Sequence, residues 1–298
     1  MICTSGAVQD HATMPRYGAK GTQMNDHARF PGAEGQYAVR RWQDRRLTTM
    51  ADRVAEEVPI AFIYNGLAHV VMMATPTELE DFALGFSLSE GIVANAGEVN
   101  AIETDPVSDG IAVYIDIDRE RFAPLEAQRR NLAARTGCGL CGTETIDQAV
   151  RHPPAVAAGV RITPSALQAA LSNLSARQPL NAATGAVHAA AWALPDGQIV
   201  QVREDVGRHN ALDKLIGAQA RAGTFFDQGF ALITSRASFE MAQKAATVGI
   251  TLLAAISAPT GLAIRLAEET GLTLIGFTRA GQHNVYSNPQ RITYPAAP

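Results

Sequence analysis

The chain has 298 residues, of which 47% are hydrophobic, with three cysteines and a formal net charge of −4. That length predicts two domains with real cores, while the acidic balance argues against a general nucleic-acid binder and the few cysteines against a disulfide framework. The N-terminus shows His, Asp and Lys where a signal peptide needs an apolar run, and the longest apolar run (248–258) falls far below the roughly 20 residues of a membrane span, so a cytoplasmic protein with no membrane partner is expected.

Residues 1–36 lack apolar periodicity and read as a disordered tail. Residues 37–43 read as a first strand. The runs at 59–64 and 67–73, joined by Asn65-Gly66, predict a hairpin with a type I′ turn. Thr77-Glu78-Leu79-Glu80 has capping-box spacing, and Leu79, Phe82, Ala83 and Phe86 recur at helical intervals. Gly91 stands where a glycine closes a helix. Strands follow at 99–104 and 111–117, then a polar connector at 119–130. Residues 37–150 thus predict an α+β domain ending in a cysteine-bearing loop.

That loop, residues 135–142, reads Arg-Thr-Gly-Cys-Gly-Leu-Cys-Gly, which puts Cys138 and Cys141 in Cys-x-x-Cys spacing among three glycines. Two such thiols can hold half a zinc site, cycle as a dithiol and disulfide, or pass sulfur onward as a persulfide. A structural zinc site needs two more ligands, yet Cys3 lies far upstream and no His pair has ligand spacing. A thioredoxin-like motif follows a strand and opens a helix, whereas residues 131–135 read as loop. A purely structural pair belongs in an apolar setting. The residues therefore favour an exposed nucleophilic pair whose thiolate form Arg135 supports.

His152-Pro153-Pro154 breaks the chain and marks the domain boundary, with the second domain at 155–298. It opens with a helix capped by Thr163, with Pro164 first and Leu167, Leu171 and Leu174 on one face. A second hairpin, 187–194 and 198–203, turns at Pro195-Asp196-Gly197. Helix 208–218, strand 230–234, helix 239–248, strand 250–256, helix 259–270 and strand 272–277 follow. The alternation predicts an α/β fold, a mixed sheet with helices on both faces, whose strand C-termini gather ligands. Three polar stretches fall at such strand-to-helix junctions: 203–210, 234–240 and 276–282. Their arginines and small residues favour an anionic, phosphate-bearing ligand. Neither a dinucleotide fingerprint nor a P-loop is present. His209, at a helix start, reads as a cap or a hydrogen-bonded group, and His188 and His69 as structural.

Taken together, residues 136–142, 204–214, 235–241 and 276–282, with Asn284-Val285-Tyr286-Ser287, resemble the FdhD family, the accessory sulfurtransferases of formate dehydrogenase, over roughly residues 37–294. The resemblance implies a cytidine-deaminase-like three-layer α/β/α domain at the C-terminus, a smaller N-terminal α+β domain, and a homodimer. It implies a sulfur carrier that takes persulfide sulfur from a cysteine desulfurase and passes it to the molybdenum cofactor in its bis(molybdopterin guanine dinucleotide) form, bound as substrate, before insertion into formate dehydrogenase. Cys138 matches the persulfide cysteine and Cys141 its partner. Phe277, Thr278, Arg279, Ala280, Gly281 and Gln282 match the cofactor-binding loop, for which GDP is the expected mimic.

Two other readings stay open. A non-catalytic cofactor escort would use the cysteines only to shape a loop. A deaminase-type hydrolase would need His-x-Glu and Pro-Cys-x-x-Cys. By strand order His209-Asn210-Ala211 and Ser235-Arg236-Ala237-Ser238 stand in those places, so no metal ligands and no deamination are expected.

Overall fold

A computed structural model describes residues 32–133 and 151–295, and for residues 128–133 the backbone alone. Cys3, Arg135, Cys138 and Cys141, and the tail as far as residue 31, lie outside the described residues.

The first element is a ribbon of two antiparallel strands, β1 (Glu34–Gln43) and β2 (Arg46–Ala55). Residues 34–36 are therefore strand rather than tail. The strand β2 was not expected, because its mostly exposed residues show no apolar face. Its turn also lacks glycine: Asp44 and Arg45 themselves take φ of 49° and 61°. Next, β3 (Val58–Tyr64) and β4 (Leu67–Ala74) pair through Asn65 and Gly66, at φ 46° and 83°, as the type I′ signature requires. With β5 (Val99–Val107) and β6 (Gly110–Ile117) they form a four-stranded sheet in the order β4-β3-β6-β5.

Helix α1 (Leu79–Ser89) packs on this sheet and ends before Gly91, at φ 66°. The capping box expected at 77–80 does not form: Glu78 is left-handed, at φ 48°, and makes no side-chain cap. The approach to α1 is held by distant partners instead. The Thr75 N–H donates to Asp205 Oδ2 at 3.1 Å, and the Thr75 carbonyl accepts from Lys214 Nζ at 2.9 Å. Residues 119–130, read as a connector, belong to helix α2 (Arg119–Ala133). Pro124 inside it and a sparse apolar pattern, Phe122 and Leu125, hide it from a periodicity argument.

The second sheet has six strands in the order β12-β11-β10-β9-β7-β8: β7 (His188–Ala193), β8 (Ile199–Asp205), β9 (Phe230–Ile233), β10 (Leu252–Ala255), β11 (Thr273–Arg279) and β12 (Gln282–Ser287). β9, β10 and β11 run parallel, and the other pairings are antiparallel. The helices are α3 (Pro164–Leu174), α4 (Pro179–Thr184), α5 (Arg208–Arg221), α6 (Phe239–Thr247) and α7 (Gly261–Thr270). Side chains alternate as a doubly covered sheet demands. Ala190, Trp192, Ile233, Leu253 and Ala255 share one cluster with α5, α6 and α7. Ala191, Ala193, Leu232, Leu252 and Ala254 share the other with α3, whose Thr163 cap accepts from the Ala166 N–H at 3.2 Å. The α/β reading with helices on both faces is what the structure shows.

Residues on either side of 152–154 meet in a single hydrophobic cluster, because α1 lies between the four-stranded sheet and α5. Every α1 residue from Asp81 to Ser89 is buried. Two glycines permit the approach: a Cβ on Gly85 would strike the Asp213 carbonyl of α5, and one on Gly217 would strike the Asp81 carbonyl of α1. On an exposed helix Gly→Ala stabilises by about 1 kcal/mol. Here backbone opposes backbone and neither helix can yield alone. Gly85→Ala is therefore expected to destabilise the fold by about 2–3 kcal/mol, an overpacking cost, and urea unfolding followed by circular dichroism measures it.

Candidate functional site

β8 runs in the same direction as β9, β10 and β11, so these four strands end at one edge of the six-stranded sheet. The three polar stretches emerge there, and each is built differently.

The stretch after β8 is largely scaffold. Arg203 donates to Asp81 Oδ2 at 2.6 and 3.0 Å, and the Glu204 carboxylate accepts from the Leu180 and Asn181 N–H groups at 3.0 and 2.8 Å. Asp205 is fully buried. It accepts from Gly207 N and Asn210 Nδ2 at 2.8 and 2.9 Å and lies 2.8 Å from Lys214 Nζ, itself fully buried. These bonds fix the turn that starts α5 and leave Arg208 and His209 half-buried beside it. Arg208 Nε is buried with no partner among the described residues. His209 Nε2 lies 3.2 Å from Glu240 Oε2. Burial first, and the Arg208 charge second, push the imidazole below its ordinary pKa.

After β9, Thr234 Oγ1 accepts from the Ala189 N–H at 2.9 Å, and Arg236 is exposed. Ser238 starts α6 without capping it. Its hydroxyl donates to Glu240 Oε2 at 3.2 Å.

The stretch after β11 is a hairpin rather than a strand-to-helix loop. Phe277, Thr278 and Arg279 are the last three residues of β11, Ala280 and Gly281 make the turn, and Gln282 opens β12. β12 went unseen because its polar alternation lacks an apolar core face. A register shift between Gly276 and Arg279 puts Phe277 at φ 51°. Thr278 is fully buried and its Oγ1 has no partner among the described residues, whereas Arg279 is exposed with its guanidinium 5.8 Å from the Phe277 ring centre. Arg279 and the Gly281 turn are thus exposed at the sheet edge, whereas Thr278 is enclosed. The Gly281 N–H donates to Gln168 Oε1 at 3.0 Å.

Beside the first two stretches lies a cleft of about 520 Å³ between β4, α1 and the beginnings of α5 and α6. Sequence reasoning missed the charges that line it. Lys244 Nζ donates to both Asp213 oxygens at 3.0 and 2.9 Å, to Ser89 Oγ at 2.9 Å and to Glu90 Oε1 at 2.7 Å. Arg151 pairs with the Glu90 carboxylate and carbonyl. Burial by itself would raise the Glu90 carboxyl, but Lys244 and Arg151 outweigh it and hold it below the usual carboxylate range. Burial also works against the Lys244 charge, and Asp213 and Glu90 reverse that and raise its pKa. The one sequence signal was charged residues within otherwise apolar helix faces, such as Asp213 beside Leu212 and Lys244 beside Ala245. His188 and His69 sit in strands β7 and β4 with pKa values lowered by burial, His69 edge-on to Tyr64 at 5.4 Å. Among the described residues no group of three or more His, Cys, Asp or Glu could hold a metal ion. Cys138 and Cys141 lie outside them.

The model of the FdhD/NarQ family matches residues 55–293. The chain is 54% identical over 267 residues to the sulfur carrier protein FdhD of Cupriavidus necator, covering 90% of this chain and 93% of that one. It is 58% identical over 254 residues to the sulfur carrier protein FdhD of Xanthomonas euvesicatoria, covering 85% and 90%. A crystal structure of a candidate formate dehydrogenase accessory protein from Desulfotalea psychrophila superposes with a TM-score of 0.68. At 24% identity it covers 88% of this chain and all of that one, and it speaks for the fold. On the extent and identity of these matches, the chain belongs to the FdhD/NarQ family.

Proposed function

We propose that this chain carries sulfur for the maturation of formate dehydrogenase. The observation that supports this most is the 54–58% identity, over most of the chain, to proteins named as sulfur carriers, in a sequence that has the Cys138–Cys141 pair. The thiolate of Cys138 attacks the outer sulfur of a cysteine desulfurase persulfide. The donor S–S bond breaks and leaves the donor as a thiolate, so the exchange is redox-neutral. Attack by Cys141 on the inner sulfur then releases hydrosulfide and forms a Cys138–Cys141 disulfide, which an external thiol reopens. The acceptor is the bis(molybdopterin guanine dinucleotide) form of the molybdenum cofactor, held as substrate at the C-terminal sheet edge, in a homodimer that delivers it to formate dehydrogenase. Arg279 suits a phosphate-bearing ligand there by its charged fork, and the Gly281 turn, with no side chain, leaves room for one to approach.

Incubating the protein with a desulfurase and cysteine should add the mass of one sulfur atom to Cys138. Cys138→Ala should stay folded, take up no sulfur, and fail to restore formate dehydrogenase activity in cells lacking the wild-type chain. Restored activity from the folded variant would instead favour a cofactor escort whose cysteines shape a loop.

Arg279→Ala should weaken GDP binding about tenfold, the lower end for a charge-assisted contact because Arg279 is exposed. Sulfur loading of Cys138 should be unchanged, since loading and holding use separate residues. Calorimetry with GDP beside the loading assay measures both. Unchanged GDP affinity would clear Arg279 of the role.

A further inference from the structure

The cleft beside α5 and α6 holds polar groups that packing does not use. Glu240 and Gln243 both line it and, three residues apart on α6, share one side of that helix. The Gln243 side chain is deeply enclosed, the residue being 5% exposed, and its Oε1 has no partner among the described residues. A buried amide oxygen in that state invites a donor from elsewhere. The Glu240 side chain is 59% exposed and meets the Ser238 hydroxyl and the His209 ring, and no lysine or arginine pairs with it among the described residues. Lys244, Asp213, Glu90 and Arg151, by contrast, satisfy one another. Met72 and Met73 of β4 line the same cleft, Met73 being 47% exposed, and thioethers adapt readily to a flat ring.

The cleft thus offers acceptors and a soft apolar wall. A carboxylate pairs best with two parallel N–H groups, the pattern of a ring N–H beside an exocyclic amino group. We propose that Glu240 reads this amino edge of a 2-amino-4-oxo fused heterocycle seated against Met73, with Gln243 completing the recognition. The inference rests on the reading that the chain handles a molybdopterin guanine dinucleotide, which carries such an edge on both its pterin and its guanine. The hairpin of Arg279 lies two to four strand spacings along the sheet edge, roughly 10–19 Å away. With the nucleotide at the hairpin, the cleft takes the pterin.

The test is a set of binding titrations on the full chain with two pairs of probes: 6-hydroxymethylpterin against its 2-oxo counterpart, and GDP against IDP. Wild type should prefer the amino member of the pterin pair about tenfold, the scale of one charge-assisted hydrogen bond. Glu240→Gln should bring that preference close to one, and Gln243→Leu should weaken the amino member, both with unchanged circular dichroism and unchanged loading of Cys138. The same losses confined to the GDP pair would support the shared chemistry with the guanine in the cleft. Full preference retained in both variants, or no preference in wild type for either pair, would overturn the proposal. A failure of the sulfur-carrier reading appears elsewhere, as activity retained by Cys138→Ala, and leaves these ring preferences untouched.

Discussion

The close backbone contact of α1 with α5 is the constraint on which the rest of this structure depends. Gly85 and Gly217 each leave room for a carbonyl of the other helix, so the helices meet with no side chain between them at those points. At that separation the Asp81 and Asp213 carboxylates are shielded from solvent and find partners around the junction. Asp81 does so with Arg203 and Arg221, and Asp213 with Ser89 and Lys244.

Such buried pairs are poor sources of net stability, because desolvation offsets much of their attraction. Their consequence here is positional. Asp205 holds the turn ahead of α5 while its partner Lys214 holds the Thr75 carbonyl ahead of α1, so one ion pair sets the starts of two helices. The same lattice leaves Lys244 and Glu90 charged on the floor of the cleft and sends His209 and Glu240 to its rim. A break in the lattice would therefore move the cleft before it unfolded the sheet.

The six-stranded sheet provides the other half of the arrangement. Three parallel strands and β8 bring their C-terminal ends to one edge. At that edge the molecule separates two kinds of polar group. Those of 203–214 are mostly consumed by structure, whereas Arg208, Arg236, Arg279 and the Glu240–Gln243 face are presented outward or left incomplete. In the proposed function, sulfur chemistry belongs to the thiols of the 135–142 stretch and substrate holding to this edge.

Much of this was legible in the chain itself, for identifiable reasons. Asn65-Gly66 specified its turn because it suits positive φ, and Thr163-Pro164 marked the start of α3 through a local cap. The alternating elements from 188 onward declared an α/β fold because buried strands and amphipathic helices carry distinct periods. The Cys138–Cys141 spacing among glycines suggested thiol chemistry, and those residues lie outside the described ones. What escaped depended on partners far away in sequence. β2 and β12 have no apolar face to betray them, Pro124 disguised α2, and the Thr77–Glu80 capping box lost to bonds from Asp205 and Lys214. The burial of Thr278 follows from the β11 register and has no local signal. The cleft itself belongs to tertiary structure, since Glu90, Asp213 and Lys244 are scattered along the chain and become neighbours once Gly85 meets α5. Local preference is written residue by residue, but a buried charge finds its partner through packing alone.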